Sequence, residues 1–230
     1  SSGGGTRASP AASAHSYTKV KYEDLDNYLQ NKASDTDINY IEVIELRKAD
    51  LKEAGGLSPL GSTLLKNKGK KVALKLGGVS GVEDMSYCFF GCTNLVQVSA
   101  LPEGVTNMSY CFVGCTNLTE APAIPESVKA MSICFSGCTK LTQVPPIPKN
   151  TEFMTMCFQN CTSLTSVTLK CDYNTSGFFI NAFNGCTALG EKSIKVPQAY
   201  YGNYTTADAL NSMAVPGDNE AEKKAKFEGV

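Results

Sequence analysis

Ten cysteines in 230 residues are the side chains here whose type and spacing could do chemistry. Cys88, Cys111, Cys134 and Cys157 recur every 23 residues. Cys92, Cys115, Cys138 and Cys161 each follow four residues later, and Cys186 closes that second column. Only Cys171 stands outside both columns. Disulfides are one possibility, because cysteines at one position in adjacent stacked copies would lie about 4.8 Å apart, inside the Cα window for a bridge. The five members of the second column, however, cannot pair without a remainder. Zinc is another, since two Cys-x-x-x-Cys pairs from neighbouring copies could supply four thiolates. That spacing is not the two-residue knuckle, and the copies continue beyond one four-ligand site. A reactive thiol needs an accessible, electropositive setting. The column cysteines sit beside Phe and Gly with no cation at a fixed offset, so Cys171, next to Lys170, is the one candidate for redox work. The last reading is free thiols buried as small apolar side chains. Ala182, which fills the first column in the final copy, favours it.

The rest of the composition gives catalysis no support. The one histidine, His15, lies in a Ser/Ala/Gly-rich opening stretch expected to lack order. A Ser–His–Asp or Cys–His site, and most catalytic zinc sites, need a placed imidazole. The chain therefore reads as non-catalytic, with no cofactor and no metal expected. Lys and Arg number 21 against 22 Asp and Glu, a net charge of −1. That balance lacks the basic footprint of a nucleic-acid binder, and no nucleic acid is expected as a partner. No apolar run reaches the roughly 18 residues of a membrane span, and no charged leader with an apolar core is seen, so a soluble, mature-form chain is expected.

What positions the cysteines is a repeat. Met85-Ser86-Tyr87-Cys88-Phe89 precedes Gly91-Cys92-Thr93-Asn94-Leu95, and the order returns at Met108–Leu118, Met131–Leu141 and Met154–Leu164, always 23 residues on. A fifth copy, stretched by two residues, keeps Ala182, Phe183, Gly185, Cys186, Thr187 and Leu189. A unit this short cannot form its own core and must bury its apolar side against the copies beside it. Phe89, Phe112, Phe135, Phe158 and Phe183 then become one interior ladder, the matching leucines from Leu95 to Leu189 a second, and the methionines from Met85 to Met154 a third. Leu-x-x-Val/Ala (Leu95 to Val98, Leu118 to Ala121, Leu141 to Val144, Leu164 to Val167) predicts a short strand, ended by Leu101-Pro102, Ile124-Pro125 and Ile147-Pro148. Met-x-x-Cys-Phe-x-x-Cys places apolar residues at i, i+3, i+4 and i+7 and predicts a short helix, with Gly91, Gly114, Gly137 and Gly185 near its end. One strand and one helical turn per copy predict a right-handed α/β solenoid.

The sequence resembles the BspA-type leucine-rich repeats of bacterial surface proteins, whose 23-residue unit runs Cys-x-x-Leu-x-x-Val-x-Ile-Pro and ends in Ala-Phe-x-x-Cys. Cys161, Leu164, Val167 and Leu169 match the first part, and Ala182, Phe183 and Cys186 the second. The middle copies place the Ile/Leu-Pro pair one residue later, and carry Met, also one residue later, where the family has Ile. The resemblance covers roughly residues 82–189. It implies a leucine-rich-repeat fold and an exported protein of host-associated bacteria, acting in adhesion or host contact without catalysis.

Four regions follow. Residues 1–17 read as a flexible tether, the kind of segment that follows a lipid-modified cysteine upstream of residue 1 and equally the kind left by cloning. Residues 18–81 read as an N-terminal capping α/β region: a helix over 22–30, a strand over 40–46, a helix over 58–66 with Ser58 as its cap and Pro59 at its first position, and a strand over 71–76. Residues 82–190 hold the repeats. Residues 191–230 read as a C-terminal capping region, with a helix drawn from Tyr200 to Met213 and a charged, solvated tail from Asp218 to Lys226.

A stack of this kind offers a regular sheet face whose outward residues can vary without touching the core. Gln97, Thr119, Glu120, Thr142, Gln143, Thr165, Ser166 and Thr168 are the candidate partner-binding residues, small and mostly uncharged, suited to a host extracellular protein or glycan. A monomer at the cell surface or outside the cell is expected. The competing reading is a structural spacer or surface-layer element without a specific ligand, since the face carries no Trp, Tyr or Arg of the kind that anchors interfaces. Tyr87 and Tyr110 are the best anchor candidates by type, but they fall on the other side of the copy.

Overall fold

Backbone hydrogen bonds that leave one 23-residue copy for the next define the architecture of the computed structural model, which describes residues 15–173 and 177–230. From the first copy, the N–H groups of Met85, Tyr87, Phe89 and Gly91 donate to the carbonyls of Asn107, Ser109, Cys111 and Val113 at 2.7–3.2 Å. The N–H groups between them close tight turns at home, Cys88 to Met85, Phe90 to Tyr87 and Cys92 to Phe89. The same alternation recurs in each later copy.

This segment was expected to be helical, and it is not. Its apolar spacing is that of a helix face, but Tyr87 and Gly91 adopt left-handed backbone conformations (φ 61° and 71°), as do Tyr110 and Gly114, Ile133 and Gly137, Met156 and Asn160, and Asn181 and Gly185. A left-handed residue every fourth position interrupts the i to i−4 ladder and swings alternate N–H groups out of the coil. A helix would have satisfied those groups internally and left the copies without main-chain bonds to each other on this side.

The opposite side was expected to carry a four-residue strand in every copy. Only the first copy does, in β4 (Leu95–Val98). The next three contribute single parallel bridges, Gln97 to Glu120, Glu120 to Gln143 and Gln143 to Ser166. The reason is one column. Ser99 donates its N–H to Leu74 O at 2.9 Å, and the residues 23 and 46 positions on are Pro122 and Pro145, which have no N–H to give. Pairing resumes at β5 (Val167–Thr168), where Val167 and Leu169 donate to the carbonyls of Ser193 and Lys195.

The flanks lengthen this ladder at both ends. β1 (Thr18–Lys21), β2 (Asn39–Ile44) and β3 (Val72–Leu76) precede β4 in the order β1-β2-β3-β4, all pairs parallel. Beyond β5 come β6 (Ile194–Val196) and β7 (Phe227–Gly229), again parallel. α1 (Leu25–Asn31) follows a 3-10 turn at Tyr22–Asp24, and α2 (Pro59–Lys66) starts at Ser58, whose Oγ accepts the Gly61 N–H at 2.9 Å. The single C-terminal helix expected is broken into a 3-10 turn, α3 (Tyr201–Tyr204) and α4 (Ala207–Ser212). The tail is solvated as expected, with none of residues 218–226 buried, but it is also ordered. Asn219 caps α5 (Glu220–Ala225), and the chain then enters β7 with Phe227 buried. β1 went unforeseen because Thr18-Lys19-Val20-Lys21 has one apolar residue and three exposed ones. The proposed tether falls outside the described residues as far as residue 14. Beyond it, His15 stacks on the Tyr40 ring (centroids 4.0 Å apart) with Tyr17 edge-on, so this stretch is placed against β2.

The core is a column of parallel rings. Phe89, Phe112, Phe135, Phe158 and Phe183 stack at 5.4–5.9 Å between centroids, and the Met and Leu columns line them, almost all fully buried. The N-terminal region seals onto the first copy at α2. The Ser58 hydroxyl donates to Cys88 O at 2.7 Å, and the Asn94 amide lies 2.9–3.1 Å from the carbonyls of Leu64, Asn67 and Lys70. Gly61 makes that seat possible, since a Cβ there would overlap the Cys88 carbonyl oxygen. Replacing a mid-helix Gly by Ala ordinarily favours the helix by about 1 kcal/mol. Here the obstacle is backbone, so Gly61→Ala is expected to lower stability by about 2 kcal/mol or more, read as a reduced urea midpoint. An unchanged or raised midpoint would mean that α2 does not bear on the first copy.

Candidate functional site

Two surfaces and one buried array compete for a functional role. On the ladder side, Gln97, Glu120, Gln143 and Ser166 are joined by successive bridges and so form one straight row, at roughly 4.8 Å per step. Each copy buries its first and fourth ladder residues and turns the middle two outward, so Thr119, Glu120, Thr142, Gln143, Thr165 and Ser166 are exposed, with Gln97 half-buried. Two of the threonines are already engaged. Thr165 Oγ1 donates to Thr142 O at 3.1 Å and Thr142 Oγ1 to Thr119 O at 3.4 Å, each hydroxyl tying its copy to the one before. Thr168 stands apart from the row, half-buried in β5 opposite Lys195. Of the eight candidate residues, four therefore form a continuous outward row with side chains free of such duty.

On the turn side, Tyr87 and Tyr110 stack face to face, with centroids 4.6 Å apart and planes 5° from parallel. Phe90, 40% exposed, lies beside Tyr87, and Lys52 Nζ sits 5.9 Å from the centre of the Tyr87 ring while donating to Ser86 Oγ. The two tyrosines were legible from their shared column. Phe90 and Lys52 were not, because neither has a counterpart of its type in the next copy, where Val113 follows Phe90.

The cysteines are neither bridged nor exposed. All ten are free, buried thiols. The second column does more than fill space: the thiols of Cys115, Cys138, Cys161 and Cys186 donate to the carbonyls of Phe89, Phe112, Phe135 and Phe158 in the preceding copy, at 2.9–3.1 Å. In the first column Cys88 lies 3.5 Å from Ser58 Oγ. Burial pushes the thiols of Cys88, Cys92, Cys138 and Cys186 up to about 12. The redox candidate Cys171 is 1% exposed, and the Tyr204 hydroxyl donates to its carbonyl at 2.7 Å. Burial raises this thiol too, the reverse of an activated nucleophile. Among the described residues no three His, Cys, Asp or Glu side chains are placed to share a metal ion.

Residues 85–190 match the family described as BspA type Leucine rich repeat region, with six copies across the stretch in which the second cysteine column marks five. These repeats are BspA-type leucine-rich repeats. The family is associated with bacterial surface proteins, and leucine-rich repeats are a scaffold for protein contact. Neither a curated protein nor a solved structure shows significant similarity to the chain. No helix among the described residues is long and apolar enough to cross a membrane.

The buried thiols make the BspA-type stack sensitive to alkali, with a definite sign. An unfolded thiol titrates near pH 8.5, whereas folded Cys88, Cys92, Cys138 and Cys186 hold their protons to about pH 12 and burial raises the other six as well. Below the unfolded value both states are protonated and pH has no effect through this group. Above it the unfolded state binds fewer protons, so each thiol withdraws up to about 1.4 kcal/mol per pH unit. Ten acting together are expected to unfold the protein cooperatively between about pH 9 and pH 10. Circular dichroism along an alkaline titration measures this, and a native spectrum persisting at pH 11 would contradict the buried placement.

Proposed function

We propose that the chain is a non-catalytic binding scaffold of a bacterial surface, a right-handed solenoid whose flanking regions close the core at both ends and whose ladder face meets a host extracellular protein or glycan. Attachment through a lipid upstream of residue 1 is part of that reading. The observation that carries it is the row Gln97, Glu120, Gln143 and Ser166, outward-facing, regularly spaced and uninvolved in the core. A partner reading such a row gains register from the backbone and identity from the side chains.

The competing reading, a spacer without a specific ligand, draws on the threonines. Thr142 and Thr165 have their hydroxyls committed to copy-to-copy bonds, and the face lacks aromatic anchors.

A binding screen of the full chain against matrix proteins, plasma glycoproteins and host glycans separates the two. Saturable binding is expected, reduced at least about tenfold by Gln97→Lys combined with Gln143→Lys and Ser166→Lys, with an unchanged melting temperature. Binding that survives this triple change and is lost in Phe90→Lys would move the site to the turn face. No saturable binding by folded protein would favour the spacer.

A further inference from the structure

We propose that copies of this chain join end to end, the β7 edge of one docking on the β1 edge of the next. The ladder face is continuous from one end to the other. β1 to β4 form a parallel sheet, single parallel bridges carry the pairing through Glu120, Gln143 and Ser166, and β5 to β7 complete it. Both terminal strands therefore lie on one face and run in one direction. A second copy displaced along the stack presents its β7 to β1 in the orientation that every existing pair already has. A two-fold-related copy would instead have to pair β1 with β1, antiparallel, against the polarity of the whole sheet. Such head-to-tail contact leaves a free edge at each end of a pair, so it continues past the dimer.

The edges fit in shape and charge. Beside β1 opens a groove of about 630 Å³, walled by Lys19, Val20 and Lys21 on the strand and by Asp24, Tyr28 and Lys32 from the turn and helix that follow, so three cations and one carboxylate line it. β1 turns only Val20 inward, opposite Val43, and β7 turns Phe227 inward, opposite Ile194. Setting Phe227 against Val20 of the next copy extends the same apolar column and brings Glu228 beside Lys21, with Lys19 on the same face of β1 and Lys32 on the far wall of the groove. Lys19 and Lys32 have no ion-pair partner among the described residues, and Lys21 pairs with Glu45 at 3.3 Å. Glu228 already lies opposite Lys195 of β6 in the existing register, and Lys226 is turned back into its own stack, where Nζ donates to Leu189 O at 2.9 Å. Lys226 O accepts from the Ile194 N–H of β6 and the Val230 N–H donates to Val196 O, so the backbone groups of Phe227 and Gly229, alternating with these, face outward. Lysines on an edge strand deter neutral strands from pairing. The same lysines admit one that carries a carboxylate.

The test is sedimentation velocity of the 230-residue chain from about 1 µM to about 1 mM, with two variants that reverse charge on exposed or half-exposed side chains. Lys19→Glu with Lys32→Glu makes both ends acidic, and Glu228→Lys makes both ends basic. The wild type is expected to grow past the dimer as concentration rises. Each variant alone is expected to associate at least about tenfold more weakly, and an equimolar mixture to recover wild-type association, because each variant's altered end then meets an opposite charge. Recovery on mixing also establishes that both variants are folded. A wild type that stays monomeric throughout overturns the proposal. So does growth that stops at two copies, or association that neither variant shifts.

Discussion

The turn segments of this protein bury their backbone without being able to satisfy it. Met85 through Cys92 can close only every second N–H within the segment, and the remaining donors point along the stack to the carbonyls of the following copy. A buried N–H left without an acceptor costs about 1–3 kcal/mol, so each copy relies on the segment that follows it. The last copy shows the requirement plainly. Asn181 and Phe183 find their acceptors in Ser212 and Met213, at the close of α4. The first copy has the converse need, with carbonyls to cover, and receives donors from Ser58 and Lys52. The two flanks differ in sequence because they meet opposite halves of the same demand.

Within that frame the second cysteine column has a reason to be cysteine. The Phe carbonyls it reaches are already bonded to one N–H in their own copy, and the thiol of the next copy adds a second, weak donor in a space too tight for a longer side chain. Alanine would fit there and give nothing, and serine would add a stronger donor at a higher cost of burial. In the first column the last copy replaces cysteine with alanine, at Ala182.

The repeat, its columns and its buried residues were legible because a 23-residue period is independent of the conformation that carries it. The conformation was less so. Spacing of i, i+3, i+4 and i+7 marks residues that share a face, and a run of turns with a left-handed residue every fourth position shares that face with a helix. The glycine column at 91, 114, 137 and 185 carried the correcting signal, since glycine inside the segment tolerates the positive φ that a helix would never require. Strand length was set by Pro122 and Pro145, two residues beyond each bridge, rather than by the Ile-Pro pairs farther on. Of the candidate face, the residue positions could be read, but not the division between threonines that hold the stack and the row that does not, because hydroxyl direction is a property of the neighbouring copy. β1 and β7 escaped notice because an edge strand of three or four residues owes its existence to the strand beside it.

Ten thiols sealed in a core also fix how long the molecule can afford to be open. Reduced cysteine is stable in an oxidising medium only while it is out of reach, and neighbouring copies hold theirs at the spacing from which wrong bridges form readily once the coils part. Every excursion to an open state is then a chance of permanent loss, with no return to the native arrangement after the first mismatched bond. The relevant quantity for such a molecule is the height of its unfolding barrier, its lifetime rather than its equilibrium, and a stack in which each coil is clamped from both sides is a construction that keeps that barrier high.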